Sequence, residues 1–195
     1  METNKKVWFA SDHHFGHDFM RKLRNFETIE EHDQAIIDAH NQVVSKHDDV
    51  YLLGDFIFRS ARHYEYYTSK LNGNIHLIRG NHDHIGMDGG TRGFSWIKDY
   101  YETHFDNPLI EDTKKCKTLI VLSHYPLYCW HKNRKGAIML HGHTHNGIES
   151  SEVERGKIMD VEINIKNGFA PYELKDIFII MQDRKIFAPD CESYT

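Results

Sequence analysis

Five short segments of this 195-residue chain hold the side chains best suited to chemistry: Asp12-His13-His14, Gly54-Asp55, Gly80-Asn81-His82-Asp83, Ser123-His124 and Gly142-His143-Thr144-His145. Carboxylate, imidazole and amide groups are the oxygen and nitrogen ligands of borderline divalent cations. Together the five read as a site for two metal ions. Two cations about 3.5–4 Å apart can share a bridging carboxylate and a bridging hydroxide, clamping the attacking and leaving oxygens of a phosphoryl displacement. Asp55 is the natural bridge, because it stands alone at the tip of its strand and Gly54 leaves room for close approach. The pairs Asp12/His14 and His143/His145 are spaced i,i+2, so on an extended segment both members point into one crevice.

The elements that must position these residues are the apolar runs just before them. Val7 to Ala10, Val50 to Leu53, Ile75 to Ile78, Leu119 to Leu122 and Ile138 to Leu140 each have the length and composition of a buried strand. In open α/β sheets ligands gather beyond the carboxyl ends of strands, so the five segments are expected to converge. Between the strands the pattern predicts a short helix over Phe19 to Asn25 and an amphipathic one over Ile29 to Ser45. The latter carries Thr28 and Glu31 as a capping box. A polar, aromatic helix is expected over Ala61 to Leu71, with Tyr64, Tyr66 and Tyr67 on a packed face. Ile85 to Asp112 reads as a mobile loop, a short helix and a strand. Further strands follow at Thr118 to Leu122, Ala137 to Leu140 and around Val161 to Ile165, and a helix from Glu173 to Arg184 closes the pattern.

The length suits one domain spanning residues 1–195. A formal charge of −5 argues against a broad nucleic-acid surface, which needs clustered Lys and Arg. A short nucleotide or small phosphate ester stays compatible, because metal ions supply positive charge locally. Most of the 16 histidines lie in or beside the five segments, so the enrichment is local. Cys116, Cys129 and Cys191 form no CxxC pair and suggest neither a disulfide framework nor a thiolate zinc site. Met1 to Lys6 runs into the first strand without an apolar signal region, and no stretch approaches the ~20 apolar residues of a membrane span. A cytoplasmic protein without membrane contact is expected.

The five segments, in this order, resemble the calcineurin-like metallophosphoesterase superfamily, whose pattern is D-x-H, G-D, G-N-H-D/E, a lone H and G-H-x-H. The match runs from Asp12 to His145, and Ser11 to His17, Arg24-Asn25-Phe26 and Ser123 to Leu127 are similar to small bacterial and phage members. The resemblance implies a two-sheet αββα sandwich and a phosphoesterase dependent on two divalent ions (Mn, Fe, Zn, Co or Ni, with Mn expected in vitro). Carried over residue by residue, one ion takes Asp12, His14, Asp55 and His145, and the other Asp55, Asn81, His124 and His143. His82 matches the family histidine that is not a ligand and protonates the leaving oxygen or stabilises phosphoryl charge. Asp83 would hold its ring in the needed tautomer. Arg59 and Arg79 stand where phosphoprotein phosphatases carry arginines, and each is either a phosphate contact or a surface charge. The chain departs from many relatives at Met159 to Asn164, which leaves the role of that segment open.

His17 and Arg24 carry only the subfamily resemblance, while His13, His84, His131 and His141 are read as structural or supporting. Phe15, Phe56, Phe58, Tyr125, Tyr128 and Trp130 crowd the motif loops, and two readings stand: an apolar rim for a nucleobase, or core packing. The rim reading favours phosphodiesters of nucleotides or short nucleic-acid ends. The alternatives are a phosphatase acting on a small metabolite or phosphoprotein and a catalytically silent metal-binding scaffold.

Overall fold

The strands form because apolar residues alternate between two buried faces. The computed structural model describes residues 5–86, 89–110, 116–147 and 155–186. Its first sheet contains β1 (Val7–Ala10), β2 (Asp49–Leu52), β3 (Asn74–Ile78) and β4 (Trp96–Lys98), all parallel, with the short β9 (Tyr172–Glu173) antiparallel beside β1. Register places Trp8 beside Val50 and Val50 beside Ile75. Trp8, Ala10, Val50, Leu52, Ile75 and Leu77 share one face with Ile36 and Ile37 of α2 (Ile29–Val43). The expected capping box starts that helix: the Glu31 amide donates to Thr28 Oγ1 at 3.1 Å, and the Thr28 amide to Glu31 Oε2 at 3.1 Å. Two short helices, α1 (Asp18–Leu23) and α3 (Tyr64–Thr68), lie in the connections of this half.

The second sheet runs β5 (Tyr100–Asp106), β6 (Lys117–Ser123), β7 (Ile138–His141), β8 (Ile158–Asp160), antiparallel at the first pair and parallel thereafter. Phe9, Tyr51, Leu53 and Ile78 from the first sheet meet Ile120, Leu122, Ile138 and Leu140 from the second, and Ile177, Phe178 and Met181 of α4 (Leu174–Gln182) complete this inner core. On the outer face of the second sheet, Leu119, Val121 and Met139 pack under Leu127, Trp130 and Ala137. The expected two-sheet αββα sandwich is therefore present, and β1, β2, β3, β6 and β7 all lead into the five chemistry-bearing segments.

The structure departs from the sequence expectation in the middle. Residues 85–112 give two strands, β4 and β5, and among the described residues no helix, because the chain passes here from one sheet to the other. β5 lies at a sheet edge with its faces half exposed, so its apolar alternation is weak. The third helix is shorter than expected, with Tyr67 buried and Tyr66 exposed. The strand expected around Val161 lies at β8 instead, and a 3₁₀ turn occupies Ile165–Asn167. Met87, Asp88, Glu111, Asp112 and Cys191 lie outside the described residues, while Cys116 is half-buried and Cys129 exposed. No described helix is long and apolar enough to cross a membrane.

One buried carboxylate ties the start of β1 to the α2–β2 turn. Asp48 accepts the Lys6 amide at 3.0 Å, the Ser45 amide at 2.9 Å and the Trp8 indole N–H at 3.0 Å. Burial pushes its carboxyl up, but these donors outweigh burial and hold the pKa below the ordinary value. A depressed folded pKa means the stabilisation is complete above the unfolded value of about 3.9 and is lost as pH falls through the lower folded one. Asp48→Asn is therefore expected to lower stability by about 1–3 kcal/mol near neutral pH. Denaturant midpoints taken across the acid range should show the gap to wild type closing; a gap that stays constant with pH would contradict a role for the ionised form.

Candidate metal centre

The strand ends do not continue as extended segments. Asp12 (φ 57°), His14 (φ 50°), Asp55 (φ 53°), His143 (φ 70°) and His145 (φ 48°) are left-handed, a region non-glycine residues rarely enter. The expected i,i+2 convergence of extended pairs is thus replaced by sharp turns after β1, β2 and β7, which bring the same side chains together. Backbone bonds between loops hold these conformations: Asp12 N to Gly54 O (3.0 Å), His14 N to Asp55 O (2.9 Å) and Gly142 N to His124 O (3.0 Å). The loops pack so closely that a Cβ on Gly80 would lie 2.2 Å from Asp55 Oδ1, and one on Gly142 would lie 2.4 Å from Asp12 Oδ2.

Two groups of ligand-type atoms result, Asp12/His14/His145 and Asp55/His124/His143, and within each the atoms all lie within 4.8 Å of one another. In the first, Asp12 Oδ1 is 3.7 Å from His14 Nε2 and 4.0 Å from His145 Nε2. In the second, Asp55 Oδ1 is 3.6 Å from His124 Nε2, and Asn81 Oδ1 lies 3.0 Å from the same nitrogen. The other oxygen of Asp55 faces the first group, 3.8 Å from His14 Nε2. One carboxylate therefore stands between both groups.

The residues fit metal ions. Asp12 Oδ1 and His14 Nε2 are buried with no hydrogen-bond partner, which is costly for polar atoms unless something else binds them. Asp12 Oδ2 is already taken by the His143 amide at 3.0 Å, so Oδ1 alone points into the group. His124 Nδ1 donates to the Leu53 carbonyl at 2.8 Å, which leaves Nε2 to present a lone pair toward Asp55 and Asn81.

A supporting layer was hidden from sequence reasoning. His145 Nδ1 donates to Glu162 Oε1 at 2.7 Å, the carboxylate–histidine arrangement that orients a metal-binding imidazole. That bond raises the His145 pKa. Glu162 also accepts the Asn146 amide group at 2.9 Å, and Asp160 accepts Thr144 Oγ1 at 2.7 Å. The Met159 to Asn164 segment thus braces the last histidine loop. Its signal in the sequence is the alternation of Asp160 and Glu162 with apolar Met159, Val161 and Ile163. Arg24, buried, donates to the carbonyls of Asp12 (2.7 Å), His13 (2.9 Å) and Ile163 (3.0 Å), which makes it a positioning residue for the first loop.

The residues expected to act in catalysis divide. His82 is half-buried beside the centre, with Nε2 3.8 Å from Asp55 Oδ2 and its ring centroid 3.8 Å from that of Phe58. Asp83 does not orient it. Its two oxygens accept the Phe56 amide (3.0 Å) and the Gly80 amide (2.9 Å), so it shapes the loop instead, and burial pushes its pKa up to about 6. Arg59 is exposed at the rim, its guanidinium 5.1 Å from the Phe58 ring centroid. Arg79 is committed elsewhere, donating to both oxygens of Asp99 at 2.7 and 2.6 Å. His17 packs on Phe58 at 4.5 Å and 5.6 Å from His14, and burial with the neighbouring histidines lowers its pKa to about 4.

His13 and His141 are buried, while His131 pairs with Glu102 at 2.6 Å and His84 is exposed. Of the six rings, Phe15, Phe56 and Trp130 belong to the core. Phe58 and the exposed Tyr125 flank the site, Phe58 on the His82 side and Tyr125 with its ring 4.8 Å from His143. Tyr128 is exposed, with Arg155 5.9 Å from its ring.

No family model matches the chain. The Gene 66 protein of Mycobacterium phage L5 is 32% identical to it over 176 residues, which cover 78% of this chain and 84% of the phage protein. The chain belongs to the family of that phage protein. It is also similar to the Gene 66 protein of Mycobacterium phage D29, 28% identical over 185 residues, 86% of this chain and 92% of that one. Among solved structures, a protein of unknown function from Aquifex aeolicus, 22% identical, matches with a TM-score of 0.67 over 91% of this chain and 100% of its own. That likeness establishes the same fold in a bacterial protein.

Because Glu162 supports only the first group, Glu162→Gln is expected to weaken one of two manganese-binding events by about 10–100-fold and leave the other in place. Calorimetric titration reads both events; equal weakening of both, or none, would contradict the assignment.

Proposed function

We propose that the protein is a phosphoesterase of the calcineurin-like type that works with two divalent metal ions and prefers phosphodiesters. The observation that carries this reading is the position of Asp55, one oxygen toward His14 and the other toward His124. In this account Asp12, His14, Asp55 and His145 hold one ion, and Asp55, Asn81, His124 and His143 the other. Bound there, the two ions would supply an activated water and neutralise charge on the phosphoryl oxygens. The preference for divalent cations over bulky or soft ones follows from a ligand set of oxygens and imidazole nitrogens.

His82 is the residue that moves the proton. It approaches the centre from outside both ligand groups, and its ring is steadied by Phe58, so Nε2 is free to donate to a departing alkoxide. Arg59, behind Phe58 at the rim, serves as a cation for the non-reacting part of the substrate. Phe58 and Tyr125 stand on opposite flanks and suit an aromatic group on each side of a bridging phosphate; stacking on a nucleobase is worth about 1–3 kcal/mol per ring. A compact monoester would leave both rings unused, which is why diesters of nucleotides or short nucleic-acid ends are the favoured class.

His82→Asn is expected to retain metal and lose about 10²–10⁴-fold in kcat, with a smaller loss on a p-nitrophenyl ester than on an alkyl ester. Equal losses on the two leaving groups would assign His82 to charge stabilisation, and loss of metal would make it a ligand.

Substrate class is read by comparing kcat/KM for bis-p-nitrophenyl phosphate and p-nitrophenyl phosphate with manganese, then for nucleotide and simple alkyl diesters in wild type and Tyr125→Ala. The expected result is faster diester turnover and a selective loss of nucleotide diesters in the variant. A monoester preference would overturn the diester reading, and a metal-loaded protein inert to all phosphate esters would overturn the enzyme reading.

A further inference from the structure

A cluster of like charge lies far from the metal centre. A cavity of about 480 Å³ opens where β6 and β7 begin, with His104 and Asn107 of the β5 end and the last turns of α4 as its other walls. The metal loops leave the opposite ends of the same strands, and β6 alone, seven residues long, separates the two by about 20 Å. Lys117, Lys132, Lys135 and Lys157 line the cavity. No aspartate or glutamate among the described residues does, although the chain as a whole carries a charge of −5.

Acids stand near two of these lysines, Glu102 near Lys132 and Asp183 near Lys157, but at no ion-pair distance among the described residues. None of the four forms an ion pair there, and Lys157 instead donates to the Met181 carbonyl. Burial and the nearby Arg184 lower the Lys157 pKa, with Asp183 acting in the opposite sense, so the back wall of the cavity would gain from a bound negative charge. Leu119, Ile138, Phe178 and Met181 line the cavity but are almost wholly buried in the core, so the apolar surface it offers comes from Leu109 and Ile110 at its edge, 44% and 37% accessible. A concave hollow of this size that brings a few convergent charges beside exposed apolar side chains is a common form of small-molecule site.

We propose that this cavity binds a small organic anion carrying two or more phosphate groups on an aromatic or apolar body, at a site separate from the metal centre. The phosphates meet the ammonium groups of Lys117, Lys132 and Lys135 at the mouth, and the body lies against Leu109 and Ile110 at the edge. The inference is independent of the phosphoesterase reading, since it uses none of the metal-centre residues. A flat nucleic-acid surface fits less well, because the cations surround a hollow rather than follow a strip.

The test titrates the full chain with a nucleoside triphosphate, with inorganic pyrophosphate and with a single-stranded oligonucleotide, each in the presence of chelator to silence the metal centre. Wild type, Lys117→Gln/Lys135→Gln and Asp55→Ala are compared. Both lysines are exposed, so the double variant is expected to fold as wild type, which circular dichroism checks. The triphosphate should bind wild type and Asp55→Ala alike, more tightly than pyrophosphate, and about tenfold more weakly for each lysine removed. Raising the salt should weaken it further. No binding of either phosphate probe, loss in Asp55→Ala with retention in the lysine variant, or tighter lysine-dependent binding of the oligonucleotide would each overturn the proposal. Equal affinity for pyrophosphate and the triphosphate would refute the role of the apolar edge.

Discussion

The carboxylate of Asp55 is the constraint on which the site depends. It is nearly inaccessible, it accepts the His82 amide at 3.0 Å, and its oxygens face His14 and His124, side chains from opposite sheets of the sandwich. Holding one anion among so many acceptor atoms requires the loops to approach almost to contact, which explains why glycine precedes Asn81 and His143 in the chain. It also explains the left-handed turns after β1, β2 and β7, since an abrupt reversal there turns these side chains toward a common centre. The strain is held by hydrogen bonds from loop to loop and by Arg24, which gathers three carbonyls around the first of them.

Much of this was legible because it is local. An apolar run followed by Asp, His or Asn gives both a strand and its cargo. The Thr28 capping box is equally local. What sequence could not yield depends on partners far along the chain or on backbone geometry. Arg24 meets Ile163 across 139 positions, and Asp83 is used by the amides of Gly80 and Phe56 rather than by its neighbour His82. Phe56 and Phe58 both follow Asp55 closely, yet the turn buries the first and leaves the second against His82. One strand was expected between Ile85 and Asp112 but could not be placed, because β5, an edge strand half open to solvent, carries little apolar period.

The fold separates two kinds of electrostatics along its second sheet. At the carboxyl ends of the strands, acids and imidazoles converge into a site that favours cations. At the opposite ends four lysines converge on a cavity that no acid lines among the described residues. Both arrangements are costly unless complementary charge arrives, and both are held on rigid strands rather than on loops alone. The same logic thus accounts for the metal centre and for the distal cavity, although the two rest on different residues.

The central claim is that Asp55 bridges two ions, and anomalous diffraction from manganese-loaded crystals tests it most directly. The account predicts two peaks about 3.5–4 Å apart, one beside Asp12, His14 and His145 and the other beside Asn81, His124 and His143, with Asp55 contacting both. A single peak, or two peaks of which only one touches Asp55, would contradict it.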